Sequence, residues 1–440
     1  MPSIDFKKIG EGGGIFCRSA IKDDVLYFGS FDKYFYAIDA KTGHEIWNLL
    51  ADGIIMSSPV IENNIIYFGC FDKCLYAISI EKRDILWKKR TEGIIVTTPT
   101  INNGVIYFGS CDGYLYASST KTGDILWRFK TENEIVGDVV VDNNRIYFGS
   151  TDHNLYCLEP NGSLVWKFRA NGEFLVRAPV IKDNIIYAAA SDGCVYAIDK
   201  NIGVLLWKFQ SSEESFNSLS LDKKTLYFGS KDRYLYAIDA KTGTLLWKFR
   251  ANQGIGTAPT ISEYRIFFGA DMLYALDKKG ALLWTFGASS EDELSFVHSP
   301  SIYNSKLYFS SFDGYFRCIG LDGYLIWAFR TKSNKKIKIE SGAIKPASWW
   351  DEKMFLVFED ANETFAPKEP YAVCARYGVD VITNLEDVIE QNRYTDMGAP
   401  EAYKALENKK YINAPGSYVE KTNTAEKDTK KWKDVFGIKY

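Results

Sequence analysis

The side chains best able to do chemistry in this 440-residue chain are those that break a repeat. At a position that returns about every 40 residues the sequence reads Cys17, Ser57, Thr97, Gly137, Arg177, Asn217, Thr257, His298 and Glu340. Most of these are small and uncharged. Arg177, His298 and Glu340 are not, and Arg18 and Asp138 add charge one residue further on. Imidazole and carboxylate are the usual groups for moving a proton, so His298 and Glu340 are the candidate catalytic pair. Arg18 and Arg177 are candidates to hold an anionic ligand, and Asp138 and Asn217 are further candidate ligand contacts. The competing reading, weighted equally, is that charges lining a channel pair with one another and with ordered water.

A second set lies in short loops. Aspartates at 32, 72, 112, 152, 192, 232, 313 and 360 recur in register, the pattern expected of residues that hold a turn through side-chain to backbone hydrogen bonds. His153 and Glu359 do not recur and are therefore candidate ligand contacts. With histidines only at 44, 153 and 298, a multi-histidine metal site is not expected, although one histidine with carboxylates leaves a divalent metal open.

Positioning these residues requires the elements that carry the repeat. The aromatic position of Tyr27-Phe28-Gly29 returns at Tyr67, Tyr107, Tyr147, Tyr187, Tyr227, Phe267 and Tyr308, with six spacings of 40 and a last of 41. A tryptophan follows in each unit, at 47, 87, 127, 166, 207, 247, 284 and 327. Within residues 215–249 four short alternating strands are separated by turn residues, and the link Asp239-Ala-Lys-Thr-Gly243 supplies a glycine for a tight hairpin. One such sheet cannot bury both faces alone, so the units must stack sheet on sheet, which predicts an all-β propeller of four-stranded antiparallel blades. The first strands would line the central channel. The loops joining fourth to first and second to third strands would share one face.

The segments Ala37–Trp47 (AIDAKTGHEIW) and Ala237–Trp247 (AIDAKTGTLLW) resemble the tryptophan-docking motif of pyrroloquinoline-quinone (PQQ) dehydrogenase propellers. The same repeat occurs in cofactor-free members, including an outer-membrane assembly lipoprotein, so the resemblance speaks to fold more than to function. It implies structural tryptophans that wedge between blades. The dehydrogenases hold the quinone against a disulfide of adjacent cysteines beside calcium. This chain has no Cys-Cys pair, so no cofactor is expected and PQQ is argued against.

A ninth, degenerate module follows the eighth. Met354–Asp360 aligns with Leu307–Asp313, Tyr371–Gly378 aligns with the YAIDAKTG stretch, the closing tryptophan has become Ile382, and residues 361–370 are an insertion. Counting modules favours nine blades, with eight plus an appended module as the alternative. The expected organisation is an N-terminal extension (1–13), a PQQ-like propeller (14–382) and a partly helical C-terminal tail (383–440). Helices are expected at Leu385–Gln391 and Pro400–Lys409, and Trp432, Phe436 and Tyr440 would anchor the tail on the ring.

A formal net charge of -3 gives no broad reason to bind nucleic acid or an anionic membrane. No apolar run reads as a signal-peptide core or a membrane span, and eight unpaired cysteines suit a reducing compartment, so a cytoplasmic protein is expected. Two functions fit. One is a binding or scaffold protein that holds a protein partner or small anionic ligand on its loop face and channel. The other is a quinone-independent lyase, hydrolase or isomerase acting on an anionic metabolite or sugar in the funnel. Whether the chain is an enzyme stays open at this point.

Overall fold

The computed structural model describes residues 14–174, 178–213, 219–287, 298–311 and 314–332, together with two short strands, Lys336–Lys338 and Val357–Glu359. Eight four-stranded antiparallel sheets follow one another along the chain, covering residues 20–50, 60–90, 100–130, 140–169, 180–210, 220–250, 260–286 and 301–330; these are blades 1 to 8. In each, strand order equals sequence order. Blade 1 is typical, with strands Ala20–Lys22, Val25–Gly29, Tyr34–Asp39 and Glu45–Leu50.

The cores lie between blades. Each blade's second and third strands are buried almost throughout, as in Leu26, Phe28, Phe35 and Tyr36. Apolar faces on both sides of a four-stranded sheet leave stacking as the route to burial. Eight main hydrophobic clusters result, each joining two neighbouring blades. An open row of eight sheets would have seven such seams. The eighth unites Tyr308, Phe316, Cys318 and Trp327 of blade 8 with Leu26, Phe28, Tyr36 and Ala40 of blade 1, and so closes the ring.

The closing seam uses the same contacts as the rest. Phe28 stacks on Phe316 at 4.5 Å and 9°, as Phe35 stacks on Phe68 between blades 1 and 2 at 4.7 Å and 10°. The Trp327 indole donates to the Ala40 carbonyl at 3.1 Å, as Trp166 donates to Lys200 at 2.9 Å and Trp127 to Pro160 at 2.8 Å. Gly43 turns beneath Trp327 with φ +74°, and a Cβ there would come within 2.6 Å of the indole. Two requirements therefore meet at the turn glycine: a left-handed backbone and room for the neighbour's ring. Tyr303 of blade 8 donates to Asp24 of blade 1 at 2.9 Å, and Lys41 pairs with the same carboxylate at 2.7 Å, holding Asp24 below the usual carboxylate range.

This closure corrects the nine-blade expectation. The place beside blade 1 that a ninth blade would need is filled by blade 8. Only the strand Val357–Glu359 of the ninth module is described, and it pairs with Lys336–Lys338 in a separate two-stranded sheet. The expected partly helical tail lies outside the described residues, among which there is no helix. Both expected domain limits also adjoin residues that are not described.

Replacing Trp327 with Ala should lower unfolding stability by about 3–5 kcal/mol, the usual cost of emptying a large aromatic site, measured by denaturant titration with near-ultraviolet circular dichroism. An unchanged midpoint would contradict closure through this residue.

Candidate functional site

The loop face is built by hydrogen bonds that recur from blade to blade. Each aspartate of the second-to-third-strand turn does two jobs. Asp232 accepts the Tyr234 amide on Oδ1 at 3.0 Å and the Tyr236 hydroxyl on Oδ2 at 2.5 Å. The same carboxylate accepts the Ser212 amide from the preceding inter-blade loop at 3.1 Å. Asp32, Asp72, Asp112, Asp152 and Asp192 repeat the tyrosine bond. Burial pushes these tyrosines well above the usual phenol range, and the aspartate that accepts each proton adds to the shift. These six aspartates thus hold turns, as their spacing suggests, while Asp313 and Asp360 lie outside the described residues.

The polar side chains of the column that precedes each first strand are buried and committed to the ring as well. Thr97 donates through Oγ1 to the Gly109 carbonyl at 3.0 Å and accepts the Gly109 amide at 3.1 Å. Thr257 does the same with Gly269, and Cys17 with Gly29 through sulfur. Ser57 donates to the Thr97 carbonyl at 2.7 Å, one blade on. Asp138 accepts the Thr98 amide at 2.6 Å across the seam between blades 3 and 4. Ser58 accepts the Arg18 amide at 3.0 Å in the same way between blades 1 and 2.

His298 lies at the closing seam, 4% exposed. Its amide donates to the Ser310 carbonyl at 2.8 Å, and its ring meets Phe16 of the blade 1 lead-in edge-on at 4.4 Å. Arg18 follows two residues after Phe16, so the ring closure brings these two candidates to one seam. His153 occupies a left-handed turn position (φ +71°) that is Lys33, Lys73 or Arg233 in other blades, and its Nδ1 lies 2.9 Å from the Asn171 carbonyl. Arg177, Asn217 and Glu340 lie outside the described residues. Glu359 ends the strand Val357–Glu359.

Two features escaped the sequence reading. In the fourth-to-first-strand loops, Ile54 and Ile94 of blades 1 and 2 give way to Glu134 and Glu173 after blades 3 and 4. Burial raises Glu134 above the usual carboxylate range, and the neighbouring Glu173 adds to it. The same loop face carries an apolar cluster, Val96 and Val136 packed with Met56, Phe71, Ile94 and Cys111. The mouth is therefore apolar over the first blades and acidic over the next. Arg317, 5% exposed, stands where Tyr36, Tyr76 and Tyr236 stand in other blades; it donates to Ser311 Oγ and lies over the Tyr315 ring at 4.8 Å. Positions 134, 173 and 317 each break a column of the repeat, and that break is the signal in the sequence that marks them.

No group of three or more histidine, cysteine or acidic side chains is placed to hold a metal among the described residues. The seven described cysteines sit in separate places in the blades, and burial pushes the Cys157 and Cys318 thiols up to about 11. They do not supply the adjacent pair against which related dehydrogenases hold a quinone, so no step is derived through that group.

Residues 14–218 match the family described as beta-alanine-activating enzyme, beta-propeller, and residues 217–338 match that of outer membrane protein assembly factor BamB. Together the two matches span residues 14–338 and support a PQQ-like β-propeller. Among solved structures, it is similar to the computationally designed protein Ika8 (17% identity, TM-score 0.62, covering 71% of this chain and 97% of that one). It is also similar to BamB from Moraxella catarrhalis (18% identity, TM-score 0.58, covering 68% and 94%). At these identities the likeness shows the fold. The search of curated proteins finds no match.

Because the Glu134 carboxyl titrates higher in the folded chain than in the unfolded one, the folded state retains its proton longer as pH rises. Its contribution is present at acidic pH and lost as pH climbs through the raised value. Glu134→Gln should therefore be at least as stable as the parent at neutral pH and lose that advantage below the ordinary carboxylate range. Parallel denaturant titrations across pH check this; a constant difference between the two proteins would contradict it.

Proposed function

We propose that this protein is a cytoplasmic, non-catalytic binding scaffold that holds a protein partner or a small ligand on its loop face and channel mouth. The observation that carries this reading is the commitment of the polar side chains ahead of the first strands to the ring's own backbone. Thr97, Thr257, Cys17, Ser57 and Asp138 each satisfy a main-chain group, which leaves them poorly placed to serve a reacting substrate. The divided mouth, with Met56, Phe71 and Ile94 beside Glu134 and Glu173, offers an apolar contact and an acidic one within a single rigid face. Such a face suits recognition by shape and burial with a polar edge.

The raised Glu134 is the observation that favours an enzyme, since a carboxyl titrating above its usual range is a candidate proton donor. The two readings separate on paired variants of the full-length chain purified from its host. A scaffold predicts that a bound partner or small molecule, detected by native mass spectrometry, is lost from Phe71→Ser/Ile94→Ser and kept in His298→Ala. Retention in the loop variant together with loss of a turnover in His298→Ala or Glu134→Gln would overturn it in favour of catalysis.

A further inference from the structure

The outermost strand of each blade is a sheet edge, paired on one side with the third strand. In all eight blades that pairing shifts by one residue just before the tryptophan, as where Ala117 pairs with Trp127 and Ser118 with Ile125. The residue left over is Leu126 in blade 3, and Leu86, Leu206 and Leu246 in blades 2, 5 and 6, all four exposed. Bulges and charges both blunt sheet edges against unwanted pairing, so either is expected on an exposed rim.

The charges, however, do not follow the bulges. Directly after the tryptophan stand Lys88, Arg128, Lys167, Lys208 and Lys248 in blades 2 to 6, every one exposed. Blades 1, 7 and 8 carry Asn48, Thr285 and Ala328 at that position, with the same bulge and the same exposed aliphatic residue before it. Edge protection alone would need the cations in every blade. Several are held in place: Arg128 lies 4.5 Å over the Tyr114 ring and Lys248 4.2 Å over Tyr234, while Lys88 pairs with Asp52 at 2.7 Å. A chain of net charge -3 thus places a cation beside the bulge on an arc of five of its eight blades, two of them, Lys88 and Lys167, next to a carboxylate (Asp52 at 2.7 Å and Glu132 at 4.0 Å).

We propose that the outer rim of blades 2 to 6 docks an acidic segment of a partner protein whose aliphatic side chains sit on the bulge leucines. Charge complementarity fixes the sign of the partner. The leucines interleaved with the cations argue for a polypeptide, since a phosphate backbone would meet the cations and leave the leucines unused. The shape argues the same way: the rim of a closed ring is convex, so a flat bilayer or a stiff duplex reaches only neighbouring blades, whereas an extended chain can follow the arc.

The test is fluorescence anisotropy on the full-length protein, with a short fluorescein-labelled peptide alternating Glu or Asp with Leu, alongside phosphatidylserine-containing vesicles and a duplex DNA. Salt-sensitive binding of the peptide is expected, weakened at least about tenfold in Arg128→Gln/Lys167→Gln/Lys208→Gln/Lys248→Gln, and weakened also in Leu126→Ser/Leu206→Ser/Leu246→Ser. Near-ultraviolet circular dichroism establishes that each variant is folded. Because Arg128 and Lys248 stack on tyrosines, Lys167→Gln/Lys208→Gln is measured beside the fourfold variant and should lose part of the affinity by itself. Absence of peptide binding at low salt, equal affinity in the parent and the variants, or preference for vesicles or DNA over the peptide would overturn the proposal.

Discussion

The structure depends on one contact, found at seven of the eight seams: a tryptophan from the outermost strand of one blade lying on the third-to-fourth-strand turn glycine of the next. The indole ring covers the turn glycine, as Trp207 covers Gly243 and Trp284 covers Gly323, and where the bond forms its N–H reaches a carbonyl of the same turn. A residue placed at the seam earns its burial only when a neighbour is present, so stability in such a fold is shared between units rather than held within them. Trp327 makes this contact with Gly43 and Ala40, and that single repetition of the pattern turns a row of sheets into a ring. Among the described residues no strand is exchanged between the first and last blades, and side-chain packing joins them.

Closure in this way constrains where function can sit. The polar side chains ahead of the first strands are drawn into tying loops to strands and blade to blade, as Thr97 does with Gly109 and Asp138 does with Thr98. The bottom-face turns are occupied by the tryptophans and by inter-blade ion pairs such as Lys200 with Asp142 at 2.7 Å. What varies from blade to blade without disturbing the ring is the loop face and the outer rim. Those are the surfaces where Glu134, Glu173 and the cations after the tryptophans of blades 2 to 6 differ from their counterparts in other blades.

Much of this was legible in the sequence because the repeat itself is the physical unit. The Tyr27-Phe28-Gly29 strand reads as it does because its glycine must admit the loop isoleucine: a Cβ on Gly29 would come within 2.1 Å of Ile55, and the same holds for Gly69 against Ile95. The aspartate of the turn and the tyrosine four residues on form one hydrogen-bonded pair, so both recur together. The blade number was not legible. A sequence records how many modules a chain encodes, whereas ring size is set by which tryptophan meets the first blade's turn, and Trp327 does so one module before the repeats end. The candidate site was only partly legible, since a singular residue in an aligned column can be singular for the ring's sake. Asp138 breaks its column yet accepts a neighbouring amide, while Glu134 stands in a column that begins Ile54 and Ile94, and Arg317 in one of structural tyrosines.

The most direct measurement is zero-length carbodiimide cross-linking of the full-length protein, read by mass spectrometry. Lys332 Nζ, just past blade 8, lies 3.8 Å from the Glu45 carboxylate on the outer strand of blade 1, and both side chains are accessible. Lys41 and Asp24, 2.7 Å apart within blade 1, provide the internal control. An eight-bladed ring closed by Trp327 predicts a Lys332–Glu45 amide alongside the control. Recovery of the control without the Lys332–Glu45 product would mean that another blade stands between them, and would contradict the closure on which the account rests.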